Sequence, residues 1–211
     1  YITREAHIVF SGPVISMLTE EELLAVLAHE LTHIKLYSLL DGELEIADRI
    51  ITAIANNHSS EAAYYETARL FRLYTEIFCD RGALLVTGNH EPVITSLVKM
   101  STGLRQVQAE TYLRQADEIF AADAKTRSAG VSHPENFIRA KALQLWQSQV
   151  ADVEKAISDM VEHIIELDRL DIFQQQEMAA LTRRFLQLFL KPKWIQTTLV
   201  ISLARQYFAD F

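Results

Sequence analysis

The chain is poor in the residues that cross-link or interrupt a polypeptide. Cys79 is its one cysteine in 211 residues, which excludes an internal disulfide. It has six glycines and four prolines, and none of them falls between residues 18 and 40. An unbroken helix is predicted there, because glycine and proline are the strongest local helix breakers. Breaks are predicted at Asp41-Gly42, at residues 88–92 and at residues 191–193.

Long apolar runs and a surplus of basic charge are missing too. The longest uncharged window near the C-terminus, residues 194–204, is too short and too polar to span a bilayer. A net charge of −8 argues against nucleic-acid binding. The chain starts with Tyr, and we expect no signal peptide within it; a fragment from which a targeting or membrane segment was removed stays open. We expect no transmembrane segment and favour the cytoplasm. A periplasmic or membrane-peripheral location stays open, with any membrane association left to segments outside this chain.

What the sequence does contain is the pattern His29-Glu30-Leu31-Thr32-His33 within the predicted helix. Thr19 and Glu22 form a capping-box pattern that starts this helix. Residues four apart share a helix face, so the two histidines can reach one metal ion, while Glu30 is turned by about 100°. Two imidazoles that hold Zn²⁺, beside a carboxylate that takes a proton from water, are what a zinc hydrolase needs.

A catalytic zinc also needs a third protein ligand, and residues 61–85 offer candidates on a second predicted helix. Glu76 and Asp80 are spaced i and i+4 there. One carboxylate can bind the metal while the other accepts the free ring N–H of a ligating histidine. A pair of solvated carboxylates is the alternative, and the histidine motif favours the metal. Cys79 is interpreted as a small buried apolar residue rather than a ligand.

Three stretches, in this order along the chain, resemble one protein family. They are residues 15–33, the Glu76-x-x-x-Asp80-Arg81 segment, and Ser132-His133-Pro134 followed by Arg139. Together they resemble the zinc metallopeptidases that include bacterial HtpX and the CAAX prenyl endopeptidase. The resemblance covers residues 6–145 and implies a gluzincin. That fold is mainly α (α+β), with a small β-sheet above the active-site helix.

The same resemblance assigns a role to each candidate residue. It implies one Zn²⁺ per chain, bound by His29, His33 and Glu76. It makes Glu30 the general base and Asp80 the partner of a ligand histidine.

The resemblance also places His133 near the metal. There it either donates to the transition state or occupies a vacant coordination position, and a helix-capping role is the alternative. The chain departs from the family at Thr32, where glycine is usual, and at Glu5-Ala6, where Asn-Ala is common. It also departs in having no transmembrane helix. The Glu5 departure bears on substrate binding more than on metal binding.

The chain is predicted to contain a catalytic domain at residues 1–149 and a helical extension at residues 150–211. Two short strands are predicted at residues 6–10 and 14–17. Further helices are predicted at residues 43–55, 135–149, 171–190 and 194–208. Residues 150–211 carry no metal-type cluster. His163 is interpreted as an ordinary histidine, as are His7, His58 and His90.

These observations favour a zinc-dependent endopeptidase that acts on polypeptides. Two alternatives remain at this point. One is a zinc-containing, chaperone-like binding module with little proteolysis, which the Glu5 departure and the helical extension motivate. The other is a zinc hydrolase of non-peptide amides. The intact Glu30 weighs against a purely structural metal site, which would need no base.

Overall fold

A computed structural model describes residues 6–10, 12–57, 59, 61–121, 134–162 and 167–211. These residues are mainly helical, as predicted. Their α-helices are α1 (Val14–Met17), α2 (Glu20–Ser38), α3 (Glu43–Ala55), α4 (Ala62–Thr87), α5 (His90–Thr102), α6 (Ala109–Ala121), α7 (Pro134–Gln147), α8 (Val153–Glu162), α9 (Ile172–Phe189) and α10 (Thr198–Tyr207). A short 3₁₀ helix, Leu40–Gly42, joins α2 to α3.

The predicted small β-sheet is not present in the described residues. Residues 14–17, predicted as a strand, form helix α1. The carbonyl of Pro13 accepts hydrogen bonds from the backbone N–H groups of Ser16 and Met17, at 2.9 and 3.1 Å. The fixed φ of proline suits this helical first turn. Residues 6–10, the other predicted strand, have no strand partner among the described residues.

Helix α2 begins with the capping box that the sequence predicts. The Thr19 hydroxyl accepts from the backbone N–H of Glu22 at 3.2 Å, and the Glu22 carboxylate accepts from the Thr19 N–H at 2.8 Å. The same carboxylate accepts from Lys99 Nζ of α5 at 2.8 Å, and both side chains are buried. Burial opposes ionisation of Glu22, but the bonds with Lys99 and Thr19 prevail and lower its pKa. The pair therefore stabilises the fold above the ordinary carboxyl pKa, and this contribution is lost as the pH falls.

Helix α4 is the central element, and two apolar clusters lie along it. In the first, small side chains of α2 and α4 pack with α5, α6 and α7; its members include Ala25, Ala28, Ala83, Ile94, Val98, Leu113 and Leu143. In the second, α4 packs with α7 and α8; its members are Leu70, Leu73, Ile77, Ile138, Ala142, Ile157 and Val161. Helix α8 thus packs on the helices before it, and the division at residue 149 stays a prediction.

Helices α2 and α4 are in close contact at Gly82. A Cβ atom on Gly82 would lie 2.1 Å from Oγ1 and 2.7 Å from Cγ2 of Thr32. Thr32 is itself fixed, because its hydroxyl donates to the Ala28 carbonyl at 2.7 Å. The departure at Thr32 is therefore accommodated by the missing side chain at Gly82.

Within the described ranges, no single helix has both the length and the apolar character to cross a bilayer. Helix α2 and the segment Leu40–Ala55, bent by 76° at the break between them, reach the required length and composition only as a pair.

We expect Gly82→Ala to destabilise the protein by about 3 kcal/mol, the upper part of the range for overpacked cores. The double variant Thr32→Gly with Gly82→Ala should recover most of this loss. In it, α4 carries a side chain at the contact and α2 carries none, so the two no longer collide. The free energy of unfolding in urea measures both effects, with Thr32→Gly as the single control. A double variant no more stable than Gly82→Ala would show that the two residues do not compete for space.

Candidate metal centre

Two helices bring the predicted metal ligands together. His29 and His33 lie one turn apart on α2, and their Nε2 atoms are 3.1 Å apart. Glu76 comes from α4, with Oε2 3.5 Å from His29 Nε2 and Oε1 3.3 Å from His33 Nε2. The three side chains are partly exposed, so the centre is open to solvent on one side.

The spacing of these atoms suits a zinc ion. Zinc binds His nitrogen and carboxylate oxygen at about 2.0–2.2 Å with tetrahedral geometry, which separates neighbouring ligand atoms by roughly 3.3 Å. The two Nε2 atoms are 3.1 Å apart, and each lies 3.3 or 3.5 Å from a different oxygen of Glu76, which is close to that value. With one ligand atom taken from each residue, the three atoms lie within 4.8 Å of one another. His29, His33 and Glu76 could therefore hold one Zn²⁺ with little movement.

Asp80 fixes the orientation of the first histidine. Its Oδ1 lies 2.9 Å from His29 Nδ1, and its side chain is 3 % exposed. A proton on Nδ1 that is donated to Asp80 leaves the lone pair of Nε2 facing Glu76 and His33. This is the arrangement in which Asp80 supports a metal-ligating histidine.

Arg139 of α7 holds the carboxylates of Glu76 and Asp80, a role that the sequence analysis did not assign. Its Nε and Nη2 donate to the two oxygens of Asp80 at 2.6 and 2.8 Å. Its Nη1 lies 2.9 Å from Glu76 Oε2. The one signal in the sequence is the position of Arg139 in the element that starts at Ser132. Helical spacing alone could not connect Arg139 to Asp80 and Glu76, which lie 59 and 63 positions earlier in the chain.

The charges at this centre shift its pKa values in opposite directions. Burial opposes protonation of His29, but hydrogen bonds with Asp80 and Glu76 outweigh it and raise the His29 pKa to about 9. Burial also opposes ionisation of Glu76, yet the two histidines and Arg139 lower its pKa. Because a histidine binds metal in its neutral form, a proton and a metal ion compete for His29.

Burial, together with the nearby charges of Glu76 and Asp80, raises the pKa of Cys79 to about 12. Its side chain is fully buried, as predicted, and it is not part of the converging ligand set.

Glu30 lies beside the three ligands in a cleft of about 330 Å³. The cleft is lined by α2, α4, α5 and α7, with Met100 from α5 and Asn136 from α7 among its walls. Glu30 is half-buried. The described site thus contains a carboxylate outside the converging group of His29, His33 and Glu76, next to three side chains that could be ligands. Among the other candidates, Glu5, His58, His133 and His163 lie outside the described residues.

Comparisons with known proteins agree with the resemblance that the sequence motifs show. Residues 1–147 match the model of peptidase family M48. A plastoglobule-localized metallopeptidase 48, chloroplastic, of Arabidopsis thaliana is 27% identical over 159 residues, which is 68% of this chain and 46% of that protein. The chain therefore spans less than half the length of this relative. No solved structure matches the chain.

We expect Arg139→Gln to lower the free energy of unfolding by about 3–5 kcal/mol, because it leaves the buried Asp80 carboxylate without its guanidinium. Zinc affinity, measured on the folded variant by competition with a chromophoric chelator, should fall about 10–100-fold. This is the usual loss when a residue that hydrogen-bonds to a metal ligand is removed. Arg139→Lys should recover part of both losses, since it keeps the charge but not the forked geometry.

The exposed Arg114→Gln is the matched control and should change neither property. Adding Asp80→Asn to Arg139→Gln should restore stability relative to Arg139→Gln alone, because no buried charge is then left unpaired. The role given to Arg139 would be contradicted if Arg139→Gln had the same unfolding midpoint in denaturant as the wild type and the same zinc affinity.

Proposed function

The chain belongs to peptidase family M48, and we propose that within this family it is a zinc-dependent endopeptidase that cleaves polypeptides. The observation that carries the proposal is the convergence of His29, His33 and Glu76 beside Glu30 in one accessible cleft. Two imidazoles and one carboxylate are the ligand set of catalytic zinc in several peptidases.

The metal would be held by His29, His33 and Glu76. When bound, zinc lowers the pKa of a water molecule and polarises the carbonyl group of the substrate. Asp80 would keep His29 in the tautomer that presents Nε2, and Arg139 would keep the carboxylates of Glu76 and Asp80 in place. These three contacts are already formed in the structure.

Glu30 is the residue to which we assign proton transfer. It follows His29 directly on α2, so its carboxylate lies in the cleft without joining the ligand set. It would take a proton from the attacking water and deliver it to the nitrogen of the leaving amine. A binding module or a structural metal site would have no use for a base at this position.

His133 remains the predicted donor to the oxyanion, although it lies outside the described residues. Helix α7 begins directly after it, and its Asn136 and Arg139 line the cleft that contains His29, His33 and Glu76. A role as an additional ligand predicts the opposite effect on activity, because removal of a blocking ligand would increase turnover. Both roles remain proposals that rest on the family resemblance.

The purified protein should bind about one Zn²⁺ per chain. Glu76→Ala should lower zinc occupancy severely, because it removes one of three protein ligands. Metal analysis after dialysis measures this, with the exposed Glu118→Ala on α6 as the matched control. Full occupancy and wild-type affinity in Glu76→Ala would show that the third ligand is another residue.

Glu30→Gln should retain zinc and the fold but lose hydrolysis by about 10²–10⁴-fold, the usual contribution of a general base. A casein cleavage assay measures turnover, and a chelator should abolish the wild-type activity. Glu21→Gln, on an exposed position of the same helix, is the control and should remain active. Equal turnover of Glu30→Gln and wild type would end the proposed mechanism.

A further inference from the structure

Helices α9 and α10 form a hairpin whose internal contacts are specific. Arg183 of α9 forms an ion pair with Asp210 and lies over the rings of Phe208 and Phe211. In the turn, the side-chain amide of Gln196 donates to the carbonyl of Leu190 at 2.8 Å. The two helices are thus joined by the turn that holds Leu190 and Gln196 and by the contacts of Arg183 with residues 208–211.

Both helices of this hairpin leave an apolar stripe in solvent. On α9, the exposed side chains follow the spacing i, i+4, i+7 and i+8, and on α10 they follow i, i+4 and i+8, so each set shares one face. They are 47 to 76 % exposed: Leu181, Phe185, Leu188, Phe189, Leu199, Leu203 and Tyr207. Trp194, in the turn between the helices, is 80 % exposed. Exposed apolar side chains that repeat at helical spacing on two helices differ from single scattered ones, which need no explanation.

The charge of the hairpin is opposite to that of the rest of the chain. Residues 172–211 contain five Lys or Arg and two Asp or Glu. The whole chain contains 20 Lys or Arg and 28 Asp or Glu. The hairpin is therefore net +3, and residues 1–171 are net −11. Lys191 and Lys193 flank Pro192 next to Trp194, and neither has an ion-pair partner in the part of the chain that the structure describes.

We propose that the α9–α10 hairpin binds the surface of an anionic lipid bilayer. Amphipathic helices with aromatic and leucine side chains on one face and basic residues beside it lie in the plane of the interface. Tryptophan is favoured at the headgroup level, and each lysine or arginine near an anionic surface adds to the attraction. The acidic remainder of the chain is repelled from the same surface, which orients the hairpin towards the lipid.

A second exposed apolar stripe, on α3, differs from the hairpin in the charge that surrounds it. Ile46 and Ile50 on α3 are each about half exposed, but the segment 40–55 carries four acidic residues and one basic residue. An anionic surface would repel that stripe. It therefore serves as a matched apolar control for the hairpin.

Flotation of the 211-residue chain with vesicles tests the proposal. The chain should bind vesicles of phosphatidylcholine mixed with phosphatidylglycerol, and bind vesicles of phosphatidylcholine alone much more weakly. Lys191→Gln with Lys193→Gln should weaken binding about 25-fold, from roughly fivefold for each lysine. The control pair Arg105→Gln with Lys155→Gln should bind as wild type. Phe185→Ser with Leu199→Ser should weaken binding about tenfold or more, whereas Ile46→Ser with Ile50→Ser should not.

The emission of Trp194 gives an independent measurement. In a Trp146→Phe variant, Trp194 is the one remaining tryptophan, and its emission should shift to the blue on anionic vesicles. Absence of vesicle binding, binding that does not depend on anionic lipid, or binding unchanged in the hairpin variants would each overturn the proposal. Sedimentation equilibrium tests the alternative that the stripes bind a second copy of the chain. That alternative would be supported by a dimer that dissociates in the variant with Phe185→Ser and Leu199→Ser, together with no vesicle binding.

Discussion

The buried carboxylate of Asp80 is the group on which the rest of the metal centre depends. An ionised side chain at 3 % exposure is costly unless other groups neutralise it. Arg139 supplies the charge and two hydrogen bonds, and His29 supplies a third contact. Since these residues belong to α4, α7 and α2, the satisfaction of one carboxylate fixes the relative positions of three helices. Metal binding would then use a geometry that the fold has already set.

The short side chains around this centre are a second condition for it. Histidine and glutamate reach only a few ångström from the backbone, so α2 and α4 must lie close together for their atoms to meet. Gly82 removes the side chain that would collide with Thr32, and Ala25, Ala28 and Ala83 keep the same interface thin. Close packing of small residues thus brings Glu76 within 3.5 Å of both histidines.

The features that the sequence could predict are those that depend on one helix at a time. The capping box of Thr19 and the shared face of His29 and His33 follow from helical geometry within a single element. The contact between Asp80 and Arg139, and the match of Thr32 to Gly82, join distant parts of the chain and have no periodic signal. The prediction of a strand at residues 14–17 was wrong because four residues, three of them apolar, are too few to distinguish a helix from a strand by their spacing. The turn at Pro13 decides the outcome.

Helix α4 links the two functional proposals. It carries Glu76 and Asp80 in its C-terminal half, and its Thr67 hydroxyl accepts a hydrogen bond from the backbone N–H of Ile172, where α9 begins. Nine residues separate Thr67 from Glu76, which corresponds to about 14 Å along a helix axis. A hairpin bound to lipid would therefore be joined, through α4, to the helix that carries the candidate ligand Glu76. A polypeptide at the bilayer surface would then meet the cleft at short range, so binding through the hairpin would raise the local concentration of membrane-proximal substrates without altering the chemistry of the cleft.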